Sequence, residues 1–146
     1  MTLKAWHALR DELPFFIVAD PGHFPDDAPV VLIECPSLAK QNMPSGLPVL
    51  LHSFPQDAEP GTPSPENARA VIEVIERGVR LVQSGAASAL TTAPIAKKVL
   101  VDFADFKYPG HTEFLAALTG APTPVMMIAS EALKVVPVTI HMPLSE

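Results

Sequence analysis

The sequence predicts an α/β fold: layers of helix on a mostly parallel sheet. Three observations predict it. The strand candidates are short, unbroken apolar runs, as in sheets covered on both faces, where simple alternation disappears. Strand and helix patterns alternate along the chain. The longest helix pattern is sharply amphipathic.

The elements follow in order. Thr2 to Leu13 places Leu3, Trp6, Leu9 and Leu13 on one helical face, with Thr2 as N-cap and Pro14 as the stop. Phe15 to Ala19 then reads as a buried strand ending at Asp20-Pro21-Gly22, Val30 to Glu34 as a second and Pro48 to Ser53 as a third. Residues 55–63 have loop composition. A helix follows, with Ser64 as N-cap, Pro65 at the first helical position, an apolar stripe through Ala68, Ile72, Ile75 and Val79, and Gly85 as the stop. Ala87 to Ala93 reads as a strand, Ile95 to Leu100 as a short helix and Thr112 to Thr119 as another, stopped by Gly120. Val125 to Ala129 and Val135 to His141 complete the strands.

The totals narrow the function. The 146 residues suffice for one ordinary domain with a real core, and 48% apolar against 18% charged residues marks folded material. The 17 prolines sit singly at the edges of apolar runs, where a missing N–H is tolerated. A net charge of -6 with scattered Lys and Arg argues against a nucleic-acid partner. No run approaches the ~20 apolar residues of a membrane helix, and the N-terminus lacks a signal-peptide pattern, so a cytoplasmic location is expected. The single cysteine, Cys35, ends an apolar run and is expected to be a buried, inert thiol.

Three segments carry polar chemistry at strand ends or helix starts, where parallel sheets gather ligands. They are Thr91-Thr92-Ala93-Pro94-Ile95-Ala96-Lys97-Lys98, Tyr108-Pro109-Gly110-His111-Thr112-Glu113 and Val138-Thr139-Ile140-His141. His141 suits a divalent metal, or equally a hydrogen-bonded structural role at a strand end. His111 can bind an anion or move a proton, or stand as a solvated turn residue beside an N-cap Thr112. Lys97 and Lys98 fit a solvated helix face or a phosphate grip, whereas His7, His23 and His52 read as structural or surface residues. No Gly-x-Gly-x-x-Gly, Walker or Gly-x-Ser-x-Gly motif is present.

Together, the Thr91–Lys97 segment, the Pro109-Gly110-His111-Thr112-Glu113-Phe114 segment, Pro124 to Ile128 and Val135 to His141 resemble the 4-hydroxythreonine-4-phosphate dehydrogenase family in wording, order and spacing. The likeness implies an isocitrate/isopropylmalate dehydrogenase-like fold with two α/β lobes and a homodimer in the full-length protein. It implies oxidation of a phosphorylated hydroxy amino acid, 4-phosphooxy-L-threonine, by NAD or NADP with a divalent metal (Zn, Mg or Co). The β-keto acid formed would lose CO2 to give 3-amino-2-oxopropyl phosphate, for pyridoxal phosphate synthesis. His111 and Thr112 match the substrate-binding pair and His141 one metal ligand; no catalytic residue or cofactor contact is assigned. The family's first glycine-rich loop and its C-terminal half have no counterpart here. The expectation is therefore an incomplete, inactive α/β unit over 1–146, part of one lobe running into the next near 108–112, with exposed apolar surface. A related dehydrogenase for threonate or erythronate phosphates, and a non-catalytic α/β remnant serving as an interaction module, are the alternatives.

Overall fold

The computed structural model describes residues 1–59, 61–139 and 145. The chain forms two compact units, Met1–Lys107 and Tyr108–Glu146.

The first unit is organised on a three-stranded parallel sheet in the order β1-β3-β2, with β1 at Ile17–Ala19, β2 at Val30–Ile33 and β3 at Leu47–Leu51. Val49 in the central strand lies opposite both Ile17 and Leu32. The period-2 geometry of a strand sends its side chains to two cores. Leu47 and Val49 join Trp6 and Met43 on one face, while Leu50 joins Ile33 and Ala39 on the other. A proline in a central strand needs a reason, and the ladder supplies one. The Leu47 N–H donates to Pro29 O on the β2 side, and the His52 N–H donates to Ala19 O on the β1 side. By alternation Pro48 turns its nitrogen toward β1, whose paired residues begin only opposite Val49. The missing N–H therefore breaks no bond of that ladder.

Helix α1 runs Thr2–Leu9, shorter than the stripe to Leu13 predicts. Leu3 and Trp6 are in the core, but Leu13 is exposed. Leu13 precedes Pro14, which disfavours helical backbone at that residue, and its N–H closes a last turn on Leu9 O. The N-cap position is Met1, not Thr2. The short helix α2, Ala39–Asn42, brings Met43 under Trp6, whose Nε1–H donates to Met43 O at 3.0 Å.

Helix α3 spans Ala68–Gln83, so the expected Ser64 cap is corrected. Ser64 Oγ donates instead to the Glu66 carboxylate at 2.8 Å, and Asn67 holds the N-cap position. The stripe is as expected, with Ala68, Ile72, Ile75 and Val79 all buried. Gly85, at φ 76, ends the helix in the left-handed conformation that glycine adopts without strain. Arg77 Nη1 donates to Leu51 O at 2.6 Å, tying the helix to the end of β3.

Ala87–Ala93 forms no strand. An apolar segment becomes a strand only where a ladder partner receives its backbone groups, and among the described residues it has none. Leu90 packs on the buried Gly78 of α3 instead. Helix α4 covers Lys97–Ala104, later and longer than expected, because the residues from Val101 continue the helix until Asp105 turns left-handed. Cys35 is also corrected: it is exposed, two residues past Ile33, the buried last residue of β2, with Sγ 3.1 Å from Ser37 Oγ.

In the second unit, α5 is His111–Thr119, closed by Gly120 at φ 68 and anchored by buried Phe114 against Tyr108. The two expected apolar strands shrink to β4, Ile128–Ala129, and β5, Lys134–Val135, which pair antiparallel. Ser130 and Leu133 close the turn through mutual hydrogen bonds. Ile128 is 65% and Val138 88% exposed, so these runs are not core strands of a parallel sheet. The end of the expected last strand, including His141, lies outside the described residues.

Candidate functional site

The carboxyl edge of the parallel sheet collects a cluster from three elements. Asp20 follows β1 and starts a 3-10 turn at Pro21–His23, its Oδ1 accepting the Gly22 N–H at 3.0 Å. Its Oδ2 accepts the Phe54 N–H, beyond β3, at 2.9 Å. The Phe54 ring stands edge-on between His23 at 4.7 Å and His52 at 5.7 Å. His52 Nε2 lies 3.8 Å from Glu73 on α3. Asn67, at the start of α3, accepts the Gln56 N–H at 3.0 Å and donates to Gln56 O at 2.9 Å. His23, Phe54, Asn67, Val71, Pro94 and Leu100 line a cleft of ≈ 370 Å³.

The bond from Phe54 N–H, followed by that from Gly22, holds the Asp20 carboxyl below its ordinary 3.8. A carboxyl more acidic in the fold than in the unfolded chain stabilises the fold above the unfolded value and loses that contribution as pH falls through the folded one. Asp20→Asn is therefore expected to be less stable than the wild type at neutral pH, with the gap closing below about pH 4. Urea midpoints across that range check this, and a gap independent of pH overturns it.

Of the three segments singled out in the sequence, the first loses its strand. Lys98 Nζ pairs with Asp102 Oδ2 at 2.7 Å, which raises its pKa and engages it along its own helix, not at a ligand. The second stays local. Gly110 is the extended N-cap residue of α5, and His111 and Thr112 are its first two helical residues, so His111 is not a turn residue and Thr112 is not the cap. His111 is half-buried, and its Nε2 is buried with no hydrogen-bond partner among the described residues. Native proteins satisfy most such atoms, and one left open costs about 1–3 kcal/mol. The third segment ends in His141, outside the described residues.

Among the described residues no three His, Cys, Asp or Glu side chains form a group able to hold a metal. Nor is any described helix long and apolar enough to cross a membrane. Sequence reading missed Asp20 and Asn67. The Asp-Pro-Gly turn after a strand was the available signal for the first. For the second it was an Asn directly before the apolar stripe.

The model of the family described as pyridoxal phosphate biosynthetic protein PdxA matches residues 14–146. The chain belongs to the PdxA family. It is 50% identical over 145 residues to the 4-hydroxythreonine-4-phosphate dehydrogenase of Ruegeria sp. (strain TM1040), covering 99% of this chain and 44% of the relative. It is also 50% identical over 148 residues to the protein of the same name from Roseobacter denitrificans, covering 100% and 45%. Among solved structures, the 4-hydroxythreonine-4-phosphate dehydrogenase of Burkholderia phymatum matches with a TM-score of 0.80 at 28% identity, over 97% of this chain and 45% of that one. The Klebsiella pneumoniae enzyme matches with a TM-score of 0.73 at 29% identity, over 89% and 42%. The chain thus spans less than half the length of the PdxA relatives it matches.

Proposed function

We propose that this PdxA-family chain supplies part of the substrate site of an NAD(P)-linked dehydrogenase acting on 4-phosphooxy-L-threonine. The observation that carries this is the start of α5. His111 Nε2 is buried there without a partner among the described residues, beside Thr112 at the N-terminal end of a helix, where free backbone N–H groups favour an anion. A phosphorylated hydroxy amino acid offers both an anion and a hydroxyl group to such a pair. The role of this chain is then to bind and orient, with His111 and Thr112 as the substrate contacts.

Oxidation of the carbinol, followed by loss of CO2 to give 3-amino-2-oxopropyl phosphate, needs NAD or NADP as hydride acceptor. By family likeness it also needs a divalent metal. His141 is the one metal ligand assigned to this chain, and a single imidazole does not hold a catalytic metal. The described residues therefore carry no metal step. The same reading includes an isocitrate dehydrogenase-like layering with a second lobe beginning near 108–112, a homodimer and a cytoplasmic location.

Titration with 4-phosphooxy-L-threonine is expected to shift the backbone amide resonances of His111 and Thr112 before others, and not in His111→Ala. Absence of shifts at both residues overturns the reading. The chain incubated with substrate, NAD+ and Mg2+ is expected to give no NADH. NADH formation that disappears in His141→Ala would show that this chain carries a working centre by itself.

A further inference from the structure

We infer that Asp20 and Asn67 are positioning residues that fasten the chain beyond β3 at two points and so hold the Phe54 ring as a preset wall of the 370 Å³ cleft. Their role is independent of the dehydrogenase reading. The first fastening is the Asp20 carboxylate on the Phe54 N–H, a charge-assisted bond at 2.9 Å. The second is the Asn67 side-chain amide, which pairs with both backbone groups of Gln56, as a neighbouring strand would.

Asn67 is the residue that decides this. It is 8% exposed and the one buried polar residue among those described. It holds the N-cap position of a 16-residue helix, and asparagine is among the best capping residues, yet its side chain makes no capping bond. Both of its polar atoms are spent on Gln56. A buried side-chain amide whose oxygen and nitrogen both pair with the backbone of one residue favours one backbone conformation there, since any other leaves the amide unsatisfied.

Between the two fastened peptides the Phe54 ring has little freedom. His23 meets it edge-on at 4.7 Å, and His23 Nε2 lies 3.2 Å from the same Gln56 O that Asn67 holds. Among the described residues, the backbone of this segment is therefore held to the rest of the unit by hydrogen bonds with side chains, after the β3 ladder has ended at Leu51 and the His52 N–H. A cleft wall ordered in advance spares a ligand the entropy of ordering it.

Amide hydrogen exchange on the whole chain tests this without any ligand. In Asn67→Ala the Gln56 amide is expected to exchange about tenfold faster or more, the effect of losing one part-buried hydrogen bond. Val49 and Leu50 of β3 should stay protected, and the Phe54–His23 ring NOE should weaken. Asn67→Asp keeps the acceptor for the Gln56 N–H but sets a carboxylate against Gln56 O. It should therefore fall between the wild type and Asn67→Ala, and it provides the reading should the alanine variant not fold. An unchanged Gln56 amide with an intact NOE overturns the proposal. So does an equal loss of protection across Val49 and Leu50, which would make Asn67 a part of general stability and not of this segment.

Discussion

Replacing Trp6 with alanine is expected to cost about 3–5 kcal/mol of stability, the range for removing a large buried aromatic side chain. Trp6 is 3% exposed and packs with Met43, Leu47 and Val49, so the cavity would open beside the central strand itself. Little can collapse into it, because β3 is pinned by ladders on both sides. A second loss adds to the first: Met43 O would lose the indole donor that reaches it at 3.0 Å. Since domains hold only about 5–15 kcal/mol in total, much of the chain's stability rests on this one side chain. Urea denaturation followed by circular dichroism measures it, as the variant has no tryptophan left to report. Trp6→Phe separates the two contributions, keeping most of the packing and losing the hydrogen bond. A loss under about 1 kcal/mol for the alanine variant would show that the α1 contact is peripheral to the fold.

Gly46→Ala is expected to be the most damaging single added methyl group, at about 3 kcal/mol, the upper part of the range for overpacking. A Cβ at this position would stand 2.5 Å from Pro29 O, 3.0 Å from Pro29 C and 2.9 Å from Val31 Cγ2. Two of those three atoms are backbone and cannot swing away. The same Pro29 O accepts the Leu47 N–H at 2.6 Å, the bond that opens the β2–β3 pairing. The clash therefore falls where strand register is set, and relief requires moving β2 off β3. Gly78 makes the contrast. Its Cβ would come within 2.8 Å of Leu90 Cδ1, but that is the end of a flexible side chain that can turn aside. Thermal melts with amide exchange at Leu47 and Val49 check the prediction. A Gly46→Ala protein with wild-type stability and protected Leu47 would overturn it, showing that the added methyl group is accommodated without moving β2 off β3.

How far the sequence carried is clear element by element. The stripe of α3, the positions of β1 to β3 and the start and stop of α5 were legible because each is written locally, in periodicity, proline and glycine. Helix α4 and the lost strand at Ala87–Ala93 were not, since an apolar run does not state whether a ladder partner exists. The exposed Cys35 failed for a different reason: β2 ends with the apolar run at Ile33, and hydropathy does not tell which way side chains turn once the strand has ended. At the candidate sites, the helix start was legible to within one residue, with Thr112 expected where His111 is first, but an Nε2 without a partner among the described residues could not be read from the residue type. Asn67 was missed because Ser64 offered the stronger cap signal, and its partner lies eleven residues back along the chain.

By itself the sequence determined the α/β class, the acidic composition without an apolar run of membrane-helix length, and the family to which the chain belongs. These depend on local spacing and on residue words that survive without coordinates. The tertiary structure alone decided which residues meet: Asp20 with Phe54, Asn67 with Gln56, Trp6 with Met43 O, and Pro29 O against Gly46. Each joins segments separated along the chain. Hydrogen bonding and close packing select such partners by distance in space, and one-dimensional periodicity carries no record of that distance.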